Sequence, residues 1–189
     1  MKIVLASGSP RRYELLKMIG LENFEVMPDM EDEILCTGLT PEHTVCKTAL
    51  SKAKNVAKRC EETDLIIAAD TEVFLGTKPF GKPKDSDDAI HMLKTLSGKK
   101  HTVYTGIALV CGSTIVTGAE TTSVYFRNLS DSEIRKYVQT GDPLDKAGAY
   151  GVQGRGAVFI DRLEGDFFNV MGLPVCRLTT MLRSFGVSI

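Results

Sequence analysis

Residues 1–20, MKIVLASGSPRRYELLKMIG, read as a strand, a turn of small residues and a helix. Ile3-Val4-Leu5 is a short apolar run that ends in Ala6-Ser7-Gly8-Ser9. Pro10 suits the first helical position, with Ser9 as N-cap and Gly20 as the stop. Leu15, Leu16 and Ile19 give the helix one apolar face. Its first turn nevertheless carries Arg11 and Arg12, where the helix dipole prefers Asp or Glu. A strand, a small-residue turn and a helix start aim backbone N–H groups at an anion, and Ser7, Ser9, Arg11 and Arg12 add side-chain donors. The two arginines are either solvated charges tolerated at a helix end or part of an anion site. Their placement against the dipole favours the site. The Walker lysine pattern is missing, so this is not a P-loop.

The same alternation continues outward. A second helix is expected from Thr40, with Pro41 first, to about Glu62, with Val45, Ala49, Ala53, Val56 and Cys60 as its stripe. Residues 64–75, DLIIAADTEVFL, form an apolar strand interrupted at Asp70-Thr71. GTKPFGKP, residues 76–83, is turn chemistry, followed by a helix capped by Ser86 and ended by Gly98. Residues 101–112 and 114–126 read as two long strands of a hairpin. Ser130 and Glu133 form a capping box for a helix reaching Gln139. Residues 142–156, DPLDKAGAYGVQGRG, are a Gly-rich loop. Residues 157–172 read as strand, Gly165-Asp166 turn, strand, and an amphipathic helix follows from Leu173. Early alternation and late hairpins predict an α/β fold with a mixed sheet, in one compact domain spanning residues 1–189.

Composition narrows the function. The 189 residues are 43% hydrophobic, enough for a sizeable core. A net charge of −1, from 23 basic and 24 acidic side chains, gives no electrostatic case for binding nucleic acid or coating a membrane. Any bound anion must be held by a local cluster. Cys36, Cys46, Cys60, Cys111 and Cys176 are odd in number and never spaced C-x-x-C, which favours reduced thiols in a cytosol over disulfides or zinc. Neither a long apolar leader nor a stretch of ~18 apolar residues is present, so secretion and membrane spanning are not expected.

Several side chains then ask for a role. Asp70 follows Ile66-Ile67-Ala68-Ala69 and is costly there if buried, unless it meets a metal or cation; a strand-end carboxylate capping a turn is the alternative. Lys52 lies seven residues after Val45, on the apolar face, where it either snorkels or enters an anionic pocket. Lys82, between Gly81 and Pro83, reads as surface, and Glu33 as a solvated loop charge. Gln153 sits between glycines that let backbone approach a ligand. Its amide either bonds to backbone or reads a base edge. His43, His91 and His101 have no metal spacing and receive no role. Ser7 or Ser9 as a nucleophile lacks a local base.

Taken together, these stretches resemble the Maf family of nucleoside triphosphate pyrophosphatases. The matching pieces are residues 7–12 (SGSPRR), Asp32-Glu33, Lys52-Ala53, Ala69-Asp70-Thr71, Gly81-Lys82-Pro83, residues 143–154 (PLDKAGAYGVQG) and Gly172-Leu173-Pro174. They fall in family order and span nearly the whole chain. The resemblance implies a Maf/ITPase-like fold with a strongly twisted mixed sheet flanked by helices. It also implies hydrolysis between the α- and β-phosphates, giving a monophosphate and pyrophosphate with Mg2+ or Mn2+. Asp70 matches the family's proton acceptor and would share the metal with Glu33. Arg12, Lys52 and Lys82, with Ser7 and Ser9, would hold phosphates.

Three positions select a branch. Arg11, Thr71 and Gln153 resemble the branch acting on dTTP and UTP, whereas the 7-methyl-GTP branch has Trp, Gln and Glu there. A Trp face suits a cationic methylated purine. A Gln amide can donate to a uracil or thymine carbonyl and accept from the ring N–H, although a flipped amide also suits CTP. Modified pyrimidine nucleotides and nucleotide-pool housecleaning are further expectations of the resemblance. Asp142 stands where the family usually has Glu, so it is left outside the site. Relatives imply a homodimer, and the cysteine usage a cytoplasmic protein. The alternative is a non-enzymatic nucleotide-binding regulator of septum formation. Asp70 and Glu33 argue against it, because carboxylates beside phosphates repel the ligand unless a metal intervenes.

Overall fold

A computed structural model describes residues 1–31 and 38–189. Its elements are β1 (Ile3–Leu5), α1 (Pro10–Met18), β2 (Glu25–Val26), α2 (Pro41–Ala57), β3 (Leu65–Leu75), β4 (Lys78–Phe80), α3 (Ser86–Leu96), β5 (Lys100–Cys111), β6 (Thr114–Phe126), α4 (Asp131–Val138), β7 (Ile160–Glu164), α5 (Phe167–Met171) and α6 (Val175–Leu182). Among the described residues the strands form one seven-stranded sheet in the order β2-β1-β3-β5-β6-β7, with β4 on β3. β1 runs parallel to β2 and β3, whereas β3–β4 and β6–β7 are antiparallel. The expected α/β class and mixed sheet are therefore present. None of the described helices is long and apolar enough to cross a membrane.

The chain divides into two compact units. The first comprises Met1–Asp70, Thr105–Glu120 and Gly172–Ile189. Its core sets the apolar stripe of α2 (Ala49, Ala53, Val56) with Val4, Ile66, Ala68 and Ala108 of the strands. Thr40 caps α2 by accepting from the His43 N–H, and Pro41 occupies the first turn. Gly106 makes the helix–strand approach possible: a Cβ there would lie 2.4 Å from the Val45 carbonyl carbon. The second unit comprises Thr71–Tyr104 and Thr121–Met171. Leu93 and Leu96 of α3 and Ile134 and Tyr137 of α4 pack there with Phe80, Phe126, Tyr150 and Phe159. The expected capping box closes, with Ser130 Oγ accepting from Glu133 N and the Glu133 carboxylate accepting from Ser130 N.

Four local readings change. α2 stops at Ala57 rather than near Glu62. α3 is capped by Asp85, whose carboxylate accepts from Asp88 N at 2.8 Å, and not by Ser86. Residues 157–159 belong to a 3-10 segment, Gly154–Phe159, before β7 begins. Phe167–Met171 is helix, not strand, because the Asp166 carboxylate takes the Phe168 N–H at 2.7 Å and starts a turn. Cys46, Cys60, Cys111 and Cys176 are free thiols. Burial pushes the Cys46 and Cys60 thiols up, so neither is an activated nucleophile.

Candidate active site

In the first unit, the parallel pairing Leu5↔Ile67 sets the carboxyl end of β1 beside the first residues of β3, which continues to Leu75. Ser7 and Asp70 follow that pair by two and three residues, Ser7 just beyond the carboxyl end of β1, where open α/β sheets bind ligands, and Asp70 within β3. Ser9 occupies the N-cap of α1 but makes no side-chain cap bond. Ser7 does the local work instead: its buried Oγ accepts from the Ser9 N–H at 3.3 Å and from Arg12 Nη1 at 3.1 Å. Arg12 Nε donates to the Gly172 carbonyl at 2.8 Å. One guanidinium therefore links the β1–α1 turn to the start of the Gly172-Leu173-Pro174 stretch. With no acidic residue in the first turn of α1, these two acceptors offset the cost of a cation against the dipole. Arg11 is half-buried beside it.

The second constellation joins α2 to β3. Lys52 neither snorkels nor stands alone: its Nζ donates to Asp70 Oδ1 at 2.7 Å, with side-chain exposures of 17% and 10%. The apolar face of α2 carries Lys52 inward, and the buried run Leu65–Ala69 carries Asp70 to the same place. A carboxylate held this way is neither lost to solvent nor left uncompensated in the core. Asp70 supplies hard oxygen donors of the type that Mg2+ and Mn2+ prefer. Its expected metal partner Glu33 lies outside the described residues, and among the described ones no three His, Cys, Asp or Glu side chains cluster as a metal site.

In the second unit, Thr71 is half-buried at the β3 position after Asp70, while Lys82 and Gln153 are exposed. Their two loops meet: the Gly148 N–H donates to the Gly81 carbonyl at 3.0 Å, next to Lys82. The Gly-rich loop is built from short 3-10 segments, Asp142–Asp145, Ala147–Ala149 and Gly154–Phe159. Lys146 bonds to the Asp142 carbonyl, to Asp142 Oδ1 at 3.0 Å and to Asp145 Oδ1 at 2.6 Å. Asp142, left without a role by its sequence, thus fastens this loop. Ala149 takes φ +59°, a left-handed conformation that costs a non-glycine residue strain. A cavity of about 580 Å³ lined by Lys136, Gln139, Thr140, Asp142, Gly154 and Arg155 opens beside this loop, and none of the expected site residues lines it.

Two residues were missed by sequence reasoning. His101 is 1% exposed, and its Nε2 shares a 2.8 Å hydrogen bond with the Tyr150 hydroxyl. Burial pushes its imidazole down to about 4, with the Lys99 backbone opposing in part. The signal was the inward alternation His101, Val103, Thr105 along β5, all buried. The carbonyl of Gly172 was the other, and no side-chain pattern announces a backbone acceptor.

Known proteins resemble the whole chain. The dTTP/UTP pyrophosphatase of Caldicellulosiruptor saccharolyticus is 45% identical over 190 residues, covering 98% of this chain and 95% of its own. The protein of the same name from Acetivibrio thermocellus is 49% identical over 195 residues, covering 100% and 97%. A solved HAM1 protein from Coxiella burnetii shares 19% identity and a TM-score of 0.55 over 97% of this chain and 99% of its own, a likeness of fold alone. The family model for Maf-like proteins matches residues 2–185, and the chain belongs to that family.

Proposed function

We propose that the protein hydrolyses dTTP and UTP between the α- and β-phosphates, releasing the nucleoside monophosphate and pyrophosphate. The observation that carries this reading is Asp70, a buried carboxylate beside Lys52 in the middle of β3. Family membership and the names of the full-length relatives supply the reaction class. Asp70 accepts the proton of the attacking water. Arg12, Lys52 and Lys82, with the Ser7-Gly8-Ser9 turn, hold the phosphates and balance charge that builds in the transition state. Asp70 and Glu33 would hold a divalent cation, Mg2+ or Mn2+, which would supply further charge neutralisation when bound. Arg11, Thr71 and Gln153 select the base, the Gln153 amide donating to a pyrimidine carbonyl and accepting from the ring N–H. Removal of such nucleotides fits a housecleaning role in the nucleotide pool. Phosphorus NMR of reactions with dTTP and UTP in magnesium or manganese tests the reading. Pyrophosphate as first product is expected; orthophosphate with a nucleoside diphosphate would overturn it.

A further inference from the structure

Beneath the loop that carries Gln153 lies a buried polar pair that a purely packed core does not need. His101 and Tyr150 are 1% and 5% exposed, and His101 Nε2 and the Tyr150 hydroxyl are 2.8 Å apart. The Phe126 ring stands edge-on to both, with centroids 4.8 Å from each. One residue on, the Gly151 N–H donates to the hydroxyl of Tyr137 at 3.3 Å. Two phenols therefore fix the backbone on either side of the Tyr150–Gly151 peptide, two residues before Gln153. Just ahead, Gly148 takes φ +69°, which glycine adopts freely, and Ala149 takes φ +59°, which is strained for a residue with a Cβ and persists only when its surroundings impose it. Apolar side chains of similar volume would fill this space without burying an imidazole and a hydroxyl. A hydrogen bond instead selects one orientation of the loop, the service that buried polar pairs render best.

We infer that His101, through its hydrogen bond to Tyr150, is a positioning residue that sets the Gln153 loop and thereby the choice of base. This rests on the reading that Gln153 recognises the pyrimidine. His101 touches no substrate in this scheme; it acts through Tyr150 and the two residues between Tyr150 and Gln153.

The test compares Tyr150→Phe, His101→Gln, Gln153→Ala and Tyr150→Phe/Gln153→Ala in the full chain, with KM and kcat measured for UTP, dTTP, CTP and GTP. Tyr150→Phe keeps the ring and deletes the hydroxyl. It is expected to raise KM for UTP and dTTP roughly three- to tenfold, as losing one modest hydrogen bond predicts, with kcat changed less. It should also narrow their preference over CTP and GTP, and add nothing to that ratio in the Gln153→Ala background. A merely structural pair would lower the active fraction, reducing kcat for every nucleotide alike and leaving the ratios untouched. Unchanged ratios in Tyr150→Phe, beside altered ratios in Gln153→Ala, overturn the positioning role while sparing the reading of Gln153. Unchanged ratios in Gln153→Ala overturn both. If His101→Gln does not fold, Tyr150→Phe decides alone; if neither folds, the pair serves the fold and the inference falls.

Discussion

Lys52 Nζ and Asp70 Oδ1 meet at 2.7 Å in the buried seam between α2 and β3, and each explains the other. A lysine on an apolar helix face and a carboxylate following a buried apolar run within a strand are individually awkward, and together they neutralise. The pair also places a cation and a carboxylate on adjacent elements, the two kinds of group that the proposed reaction uses. Such a pair is fragile in one direction: losing one partner leaves the other as an unpaired charge in the core.

Lys52→Met is therefore expected to destabilise the fold by about 3–5 kcal/mol at pH 7. Combining it with Asp70→Asn should recover much of that loss, because the orphaned carboxylate is then gone. Urea unfolding of the two single variants and the double variant measures the coupling. A coupling near zero would show that the two side chains do not sense each other in solution.

Asp70→Asn keeps the shape and removes the basic oxygen. General-base catalysis contributes typically 10²–10⁴-fold, so turnover should fall by roughly that factor. Binding of dTTP, followed by calorimetric titration, should persist, since Arg12, Lys52 and Lys82 remain and one repelling carboxylate is gone. Near-wild-type turnover in a folded variant would remove Asp70 from the mechanism.

For Arg12 the sequence alone predicts that truncation leaves the apo fold unharmed or slightly stabilised, by relieving repulsion with the α1 dipole. The structure changes that expectation. Arg12 donates to both Ser7 Oγ and the Gly172 carbonyl, so Arg12→Ala removes the guanidinium donor from Gly172 and one of the two donors from Ser7 Oγ. A loss of about 1–3 kcal/mol is expected, together with a raised KM and lowered turnover. Apo melting temperature and steady-state kinetics on the same preparation separate the two effects. An unchanged melting temperature would mean that the Ser7 and Gly172 contacts carry no weight.

How far these features can be read without coordinates depends on sequence distance. The opening strand–turn–helix, the α2 stripe from Val45 to Val56 and the Ser130–Glu133 capping box are local patterns that form as read, whereas Cys60 of the expected stripe falls beyond the helix. Phe167–Met171 misled because aromatic and β-branched residues fit a strand. Its helical turn is set by Asp166, which is itself held by Thr122 Oγ1, 44 residues earlier in the chain. Lys52 and Asp70 were legible as two ambiguous charges, not as a pair, because 18 residues and a change of element separate them. His101 was passed over for the same reason: its partner Tyr150 is 49 residues away, and only the alternation along β5 turns it inward.

The same histidine gives the fold a defined acid response. Burial lowers the His101 imidazole from its ordinary 6.5 to about 4, so the folded chain keeps it neutral where the unfolded chain takes up a proton. As pH falls below about 6.5, the unfolded state binds one proton more, and stability drops by about 1.4 kcal/mol per unit until the folded imidazole also titrates near 4. Between pH 6.5 and 4.5 the loss through this one group should reach about 2 kcal/mol. Glu133 contributes in a lower window. Its hydrogen bond with Arg127 holds its carboxyl down from 4.5 to about 2, so its stabilisation is lost only as pH falls below about 4.5. Urea unfolding at half-unit intervals from pH 7 to 4.5 reads the His101 slope directly. His101→Gln starts from lower stability but should lose that slope, since glutamine does not titrate. An equal slope in the variant would mean that other groups carry the pH dependence and that His101 is not held neutral by the fold.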